Sequence, residues 1–342
     1  MKNKAFGLDI GVTSMKAVWL SRERAGFVLD SAVSAPTPSK GMFSESPLDQ
    51  EEMARAIRNL VDEAKITTRY VNVALPEGQV YTRIIEMPIL SDKELISAIY
   101  WEAEQYIPVP LPTITLDYKV LQKPQKPEEG EKMTVLLVGA PSNLLEKYEK
   151  VLSMGGFIIT SIETEILASL RSTIIENSTP PTLLVNIGGL NTTLAIMRKG
   201  LLSFTYSVPT GGIALTRAIA ANFGFTFTQA EEYKKIYGLS EQNSFGGKIG
   251  TATQPILNSL IAEIKKALAF YMERYKDDPI KQIVLSGGSA KLPGFTTYFA
   301  KTIGIETVVA NPWKVLVSQE VPKEILDNAP EYTVSVGLAM RE

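Results

Sequence analysis

The sequence predicts an α/β protein built as two lobes, with a small α+β unit inserted into the first. Three observations carry that prediction. A glycine-centred hairpin lies near the N-terminus, its plan returns in the other half of the chain, and a proline-punctuated strand–helix–strand–strand stretch separates the two. With 342 residues, 45% of them hydrophobic, the chain is long enough for two packed cores.

The first hairpin pairs an apolar strand, Ala5 to Ile10, with a second, Met15 to Leu20. Between them Gly11 can take a positive φ and turn backbone N–H groups into the bend. Thr13 and Ser14 add hydroxyl donors, Lys16 adds a cation, and Asp9 offers a carboxylate to a hydrated Mg²⁺. An ordinary hairpin needs only the glycine. The second copy, Leu183 to Ile196, aligns Asn186-Ile187-Gly188 with Asp9-Ile10-Gly11 and continues through Gly189, Asn191, Thr192 and Thr193. Two such turns, one per lobe, can face each other across a cleft and clamp one polyphosphate. A third element, Gln282 to Phe295, reads as a buried strand, a Gly287-Gly288-Ser289 loop and a helix beginning near Gly294. Without a Cβ, such a loop lets a purine or ribose approach the backbone.

The remaining elements follow in order. A helix from about Asp49 to Ala64 places Met53, Ile57, Leu60 and Val61 on one face. Strands are expected at Val71–Leu75 and Val80–Pro88. Ser91-Asp92-Lys93-Glu94 forms a capping box that opens a helix through about Gln105. Pro108, Pro110 and Pro112 end that helix, and strands follow at Thr115–Leu121 and Thr134–Ala140, separated by a polar loop from Pro124 to Glu131. Later helices are expected at Ile213–Asn222 and Thr228–Ile236. The expected division is a first-lobe core of 1–75 and 141–180 joined by a C-terminal helix at 330–342, an insertion at 76–140, a second-lobe core of 181–225 and 278–329, and an outer unit at 226–277.

Composition excludes several classes. Thirty-five basic against 37 acidic residues give no field that favours nucleic acid or anionic lipid. No run of about 18 apolar residues predicts a transmembrane helix, and an N-terminus that opens directly into a strand predicts no signal peptide. The chain has no cysteine and no histidine, which leaves carboxylates, lysines, hydroxyls and bound metal for any chemistry. No Gly-x-Gly-x-x-Gly opens a helix after a strand, and Gly247-Lys248 is followed by Ile249 where a P-loop needs Ser or Thr.

The three motifs in this order resemble the actin-like ATPase superfamily: its first phosphate motif at Asp9–Lys16, its second at Asn186–Thr193 and its adenosine motif at Ser286–Gly294. Its two helical connecting segments resemble Ser161–Leu170 and Val334–Met340. The resemblance implies an actin-like (ribonuclease H-like) two-lobed ATPase fold, ATP and Mg²⁺ as ligands, and Asp9 as the residue that holds Mg²⁺ through water. The insertion resembles that of FtsA and of the PilM family. Met87-Pro88, the stretch Glu102 to Pro110, and Val208-Pro209-Thr210-Gly211-Gly212 resemble PilM proteins in particular. FtsA would continue into an amphipathic tail and the related GspL into a membrane span, whereas this chain ends at Glu342.

Membership of that family implies a cytoplasmic component of type IV pilus assembly. It would bind the N-terminal tail of the inner-membrane protein PilN in a groove around Val80–Met87 and Leu95–Tyr106, and so be recruited to the inner face of the membrane. Gly211 and Gly212 precede a helix whose first N–H groups are expected to be free for phosphate or ribose. Glu231 and Lys235, one helical turn apart, match the residues that hold ribose and adenine, with Glu232 and Lys234 as competitors. Glu165 is expected to polarise a water, with Glu163 as its rival. Asn186 stands where active relatives often have Asp. An amide cannot accept a proton usefully, so ATP is expected to be bound firmly and hydrolysed slowly or not at all. An FtsA-like filament protein is the alternative role, and a small-molecule kinase is a more distant one.

Overall fold

The computed structural model describes residues 5–124, 130–174, 180–240, 244–317 and 321–341, so most of the polar loop expected at 124–131 lies outside the described residues. Two five-stranded sheets share one strand order. In the first, β3 (Gly26–Pro36), β2 (Ser14–Glu23) and β1 (Ala5–Ile10) are antiparallel neighbours, and β4 (Tyr70–Leu75) and β8 (Ile158–Thr164) continue parallel to β1. In the second, β11 (Leu201–Val208), β10 (Thr192–Arg198) and β9 (Thr182–Ile187) are antiparallel, and β12 (Gln282–Ser286) and β13 (Glu306–Val309) run parallel to β9. The two glycine turns therefore occupy equivalent corners of equivalent sheets.

A third sheet, in the order β5 (Tyr81–Pro88), β7 (Lys132–Pro141), β6 (Ile114–Gln122), is antiparallel throughout. Helix α2 (Asp92–Tyr106) covers it with Leu95, Ile99 and Ala103. That helix starts on the expected capping box: Ser91 Oγ accepts from the Glu94 N–H, and the Glu94 carboxylate accepts from the Ser91 N–H. The sheet is also packed against the second lobe. Leu136 on β7 shares an apolar cluster with Leu184, Ala195 and Val284, and with Ile166 and Leu170 of α4 (Glu165–Thr173).

On the first sheet, α1 (Pro47–Glu63) and α3 (Ser142–Met154) bury Met53, Ile57, Tyr148 and Leu152 against Phe6, Leu8 and Ile10. Strand alternation turns Gly7 to the other face, where it meets α10 (Thr333–Ala339). A Cβ at Gly7 would overlap Ser335, and one at Gly337 would overlap the carbonyl of Ala168 on α4. Both glycines are there for close backbone approach.

The second lobe carries α5 (Gly212–Phe223), α6 (Phe227–Tyr237), α7 (Ser244–Arg274) and α8 (Phe295–Ile303), with a short α9 (Lys323–Asp327) before α10. Three boundaries differ from expectation. Helix α7 is one 31-residue element, about 46 Å long at 1.5 Å per residue, and it serves two clusters. Its Ile249 packs with Ile219 and Ala230 in the outer part, while Leu257, Ile264 and Tyr271 belong to the core of the second sheet, so 226–277 is not a single outer unit. Trp313, Leu316 and Ala329, expected in the second lobe, pack on Val18, Leu20 and Phe27 of the first, because a bridge between Phe27 and Leu316 adds that segment to the edge of β3. Finally, Ser161–Thr164 ends strand β8, and the first connecting helix begins only at Glu165.

Substituting Gly337 by alanine is expected to destabilise the protein by at least about 2 kcal/mol, since backbone must move to admit a methyl group. Urea unfolding of the variant checks this, and an unchanged midpoint would contradict the packing described.

Candidate functional site

The turn between β1 and β2 is held from behind. Thr37 Oγ1 donates to the Gly11 carbonyl at 2.6 Å, and the Thr37 N–H donates to the Thr13 carbonyl at 3.2 Å. Gly11 does not take the positive φ that the sequence suggested. Glycine is required there by space, because a Cβ would lie 2.7 Å from the Ser14 carbonyl oxygen. The N–H groups of Val12 and Thr13 have no partner among the described residues and lie on the wall of a cleft of about 850 Å³.

The second turn is held differently. Its Gly188 and Gly189 carbonyls accept from the N–H groups of Gly212 and Ile213 at the start of α5, both at 2.9 Å. The expected free helix N-terminus is thus absent, because the first amides of α5 are already occupied by the turn, and Ala214 donates to Gly211. Gly211 lies outside the cleft lining and allows this lock to close, since a Cβ there would sit 2.6 Å from both carbonyls. Thr192 is also not a ligand candidate: its hydroxyl donates to the Thr210 carbonyl at 2.7 Å inside the fold, and Thr193 is buried beside it. What the turn presents instead is a run of N–H groups on Gly189, Leu190 and Asn191 that have no partner among the described residues. The two turns meet across the cleft, with the position of a Gly189 Cβ only 3.5 Å from Thr13 and Val12 side-chain atoms.

Beneath the turns are the charged groups. Asp9, Ser14, Lys16, Glu165 and Asn186 all line the cleft, together with Gly11, Thr13, Gly188, Gly189 and Asn191. Lys16 is buried, donates to Ser14 Oγ at 2.6 Å and faces Glu331 at 3.6 Å. Burial pushes the Asp9 carboxyl up to about 6, against the pull of Lys16 and with Glu331 adding to it. Burial pushes Glu165 further, to about 8, with the charges of Asp9 and Glu77 acting in the same direction. Glu163 drops out as a rival: Arg171 binds it through two contacts of 2.6 Å and Arg341 through one of 2.9 Å, away from the cleft. Asn186 accepts at Oδ1 from Ser286 Oγ at 3.3 Å, and that hydroxyl also meets Thr333 Oγ1 at 2.7 Å.

The donor set fits Mg²⁺. It consists of oxygens in a chain without histidine or cysteine, and two buried carboxyls resist ionising together until a cation neutralises them. Among the described residues no three acids converge tightly enough to hold a bare ion, which suits an ion that keeps its waters.

At the other end of the cleft, Gly287, Gly288 and Ser289 form the floor beside Gly212, Glu231 and Lys235. Gly287 has φ +83°, a left-handed conformation that favours glycine. The buried partner of Glu231 is Lys234, not Lys235. Lys234 Nζ donates to Glu231 Oε2 at 2.7 Å, Thr216 Oγ1 at 2.8 Å and the Gly212 carbonyl at 3.1 Å. Lys235 is 3.5 Å from Glu231 Oε1 and mostly exposed, and Glu232 is exposed off the cleft. Although burial works against its charge, hydrogen bonds from Lys234 and Thr216 keep the Glu231 carboxyl below the usual range. Sequence reasoning missed Glu331, which pairs with Lys291 at 2.6 Å and reaches the cleft because its neighbours Ala329 and Tyr332 pack on the first lobe.

A family model described as type IV pilus assembly protein PilM matches residues 7–342. The chain belongs to the PilM family. A solved PilM–PilN type IV pilus biogenesis complex includes a chain 28% identical to this one, with a TM-score of 0.85 over 99% of this chain and 98% of that chain. The cell division protein FtsA of Bacillus subtilis (strain 168) is 24% identical, across 97% of this chain and 81% of that protein. Two more distant structures share the fold: the ethanolamine utilization protein EutJ from Carboxydothermus hydrogenoformans (16% identity, TM-score 0.60, covering 99% and 92% of the two chains) and MreB5 of Spiroplasma citri bound to AMPPNP (14%, 0.50, covering 97% and 93%). The expected actin-like two-lobed fold is therefore borne out. Among the described residues no helix is long and apolar enough to cross a membrane.

The raised carboxyls set a pH dependence. A carboxyl whose pKa rises from 4.5 to about 8 on folding binds its proton more tightly in the native state, so ligand-free stability falls as pH climbs through that window. Glu165→Gln is expected to flatten the fall between pH 5 and pH 8 by roughly 1–3 kcal/mol, since a tenfold difference in proton affinity is worth about 1.4 kcal/mol. Denaturant unfolding across that range is the check, and an equally steep fall in the variant would contradict the assignment.

Proposed function

We propose that this PilM-family protein holds one ATP with Mg²⁺ between its lobes. In that state it docks the cytoplasmic N-terminal tail of a PilN-like inner-membrane protein, which brings it to the inner face of the membrane. The observation that carries the nucleotide reading is the pair of facing turns, each with unpartnered N–H groups, above a buried lysine and carboxylate. Backbone amides converging from two sides suit a polyphosphate, whose charge they meet at fixed positions.

In this reading the amides at 12–13 and 189–191 grip the phosphates, and Lys16 and Ser14 add a cation and a hydroxyl. Asp9 would hold Mg²⁺ through water, and the ion would neutralise phosphate charge. Glu231, Lys234 and Lys235 flank the ribose and base, which lie on the Gly287-Gly288-Ser289 floor. Hydrolysis is slow, because Asn186 is neutral and engaged with Ser286. The lobes in this division are the two five-stranded sheets with their helices, and the insertion is the β5–β7–β6 sheet with α2. Support for the partner is the likeness to the PilM–PilN complex at 28% identity over nearly all of both chains. The docking groove is assigned to β5 and α2, around Val80–Met87 and Leu95–Tyr106.

Titration with a fluorescent ATP analogue tests the nucleotide reading. Wild type is expected to bind it in the micromolar range or tighter with Mg²⁺, while Lys16→Ala and Asp9→Ala each weaken binding about 10-fold, the cost of removing a charge-assisted contact. Turnover is expected below about 1 s⁻¹, the low end of phosphoryl-transfer rates. Unchanged affinity in both variants would refute the site.

A further inference from the structure

We propose that Glu77 is a positioning residue that joins the clamp to the inserted subdomain, passing the state of the cleft to strand β5. The proposal rests on the nucleotide reading above. Glu77 lies in a helical turn, Glu77–Gln79, just after β4 and just before β5, and is 5% exposed. Both its carboxyl oxygens are buried, and neither closes a full hydrogen bond. The hydroxyls around it are equally unsatisfied: Thr82 on β5 and Thr164 at the end of β8. An ordinary turn between two strands gains nothing from a buried acid whose hydrogen bonds are incomplete.

Its neighbours give it a use. The Glu77 N–H lies by the Glu165 carboxyl and the Ile166 N–H by the Glu77 carboxyl, so the turn sits beside the start of α4 without a closed hydrogen bond from the Glu77 oxygens. Gly78 lies against the side chain of Asn191 on the second-lobe turn, with no room for a Cβ between them. One three-residue turn therefore touches the candidate water-polarising acid, the opposite lobe's phosphate turn and the root of the insertion. Any movement of Asn191 or Glu165 when the cleft fills is delivered to this turn and, through Thr82, to β5. The loosely satisfied carboxyl can exchange partners as that happens. Coupling needs such an element, with contacts that differ between two states.

Hydrogen exchange of the full chain with and without ATP and Mg²⁺ tests the proposal, using wild type, Glu77→Ala, Glu77→Gln and Gly78→Ala. In wild type, ATP is expected to slow exchange in both turns and, about 2-fold or more, in residues 81–88. Glu77→Ala keeps ATP affinity within about 3-fold and turn protection, yet loses the response in 81–88, and Glu77→Gln restores at least part of it. Gly78→Ala, which disturbs the Asn191 contact and leaves Glu77 in place, gives the same uncoupling and carries the test if Glu77→Ala fails to fold. A response in 81–88 that survives in Glu77→Ala or in Gly78→Ala overturns the proposal. So does a wild type protected in the turns alone, or an ATP affinity that falls more than about 10-fold in Glu77→Ala, which would place the residue in the binding site. If ATP changes exchange nowhere in wild type, the nucleotide reading itself fails and this proposal falls with it.

Discussion

Two hydrogen bonds at 2.9 Å, from the first amides of α5 to the carbonyls of Gly188 and Gly189, fix the geometry on which the cleft depends. Once a turn's carbonyls are drawn inward, its own N–H groups must point the other way. Gly211 makes the approach possible, since any side chain there would push the helix off the turn. On the first lobe Thr37 performs the same service for the Gly11 and Thr13 carbonyls, with its hydroxyl and its own backbone N–H instead of a helix. Two different devices reach one result, a row of outward amides on each side of a shared space.

Beneath those turns two helices of the first lobe cross at backbone contact, and both reach the second lobe. Gly337 on α10 rests against the Ala168 carbonyl on α4, and α10 in turn lies on Gly7 of β1. Ser286 and Thr333 bridge the two lobes by a 2.7 Å hydrogen bond directly under Asn186. The apolar cluster around Ile166, Leu170, Leu136 and Val284 extends the same joint into the insertion. Relative movement of the lobes must therefore pass through α4, whose first residue is Glu165. The insertion, seated on both lobes, shares in any such movement.

Much of this was readable in the chain. Both hairpins, the Gly-Gly loop, the Ser91 capping box and the strand–helix–strand–strand order of the insertion depend on local sequence, where periodicity and turn chemistry act directly. What escaped was set by contacts between distant segments. That the α5 amides are occupied follows from where residues 188–189 lie, not from the local motif. Lys234 prevails over Lys235 because helix α6 turns its 234 face toward Thr216 and the Gly212 carbonyl. Glu77 and Glu331 had no motif at all; the fold buries Glu77 in a turn outside the cleft lining and brings Glu331 to the cleft next to Tyr332, which packs on the first lobe. Gly11 shows the limit from another side: the residue type was right, but its reason is the nearby Ser14 carbonyl and not a positive φ.

The most direct measurement is a crystal structure of the protein grown with ATP and Mg²⁺. The account requires one triphosphate touching the amides of Val12–Thr13 and of Gly189–Asn191 together, with the ion's waters on Asp9. A nucleotide held by one turn alone, or found elsewhere on the surface, would contradict it.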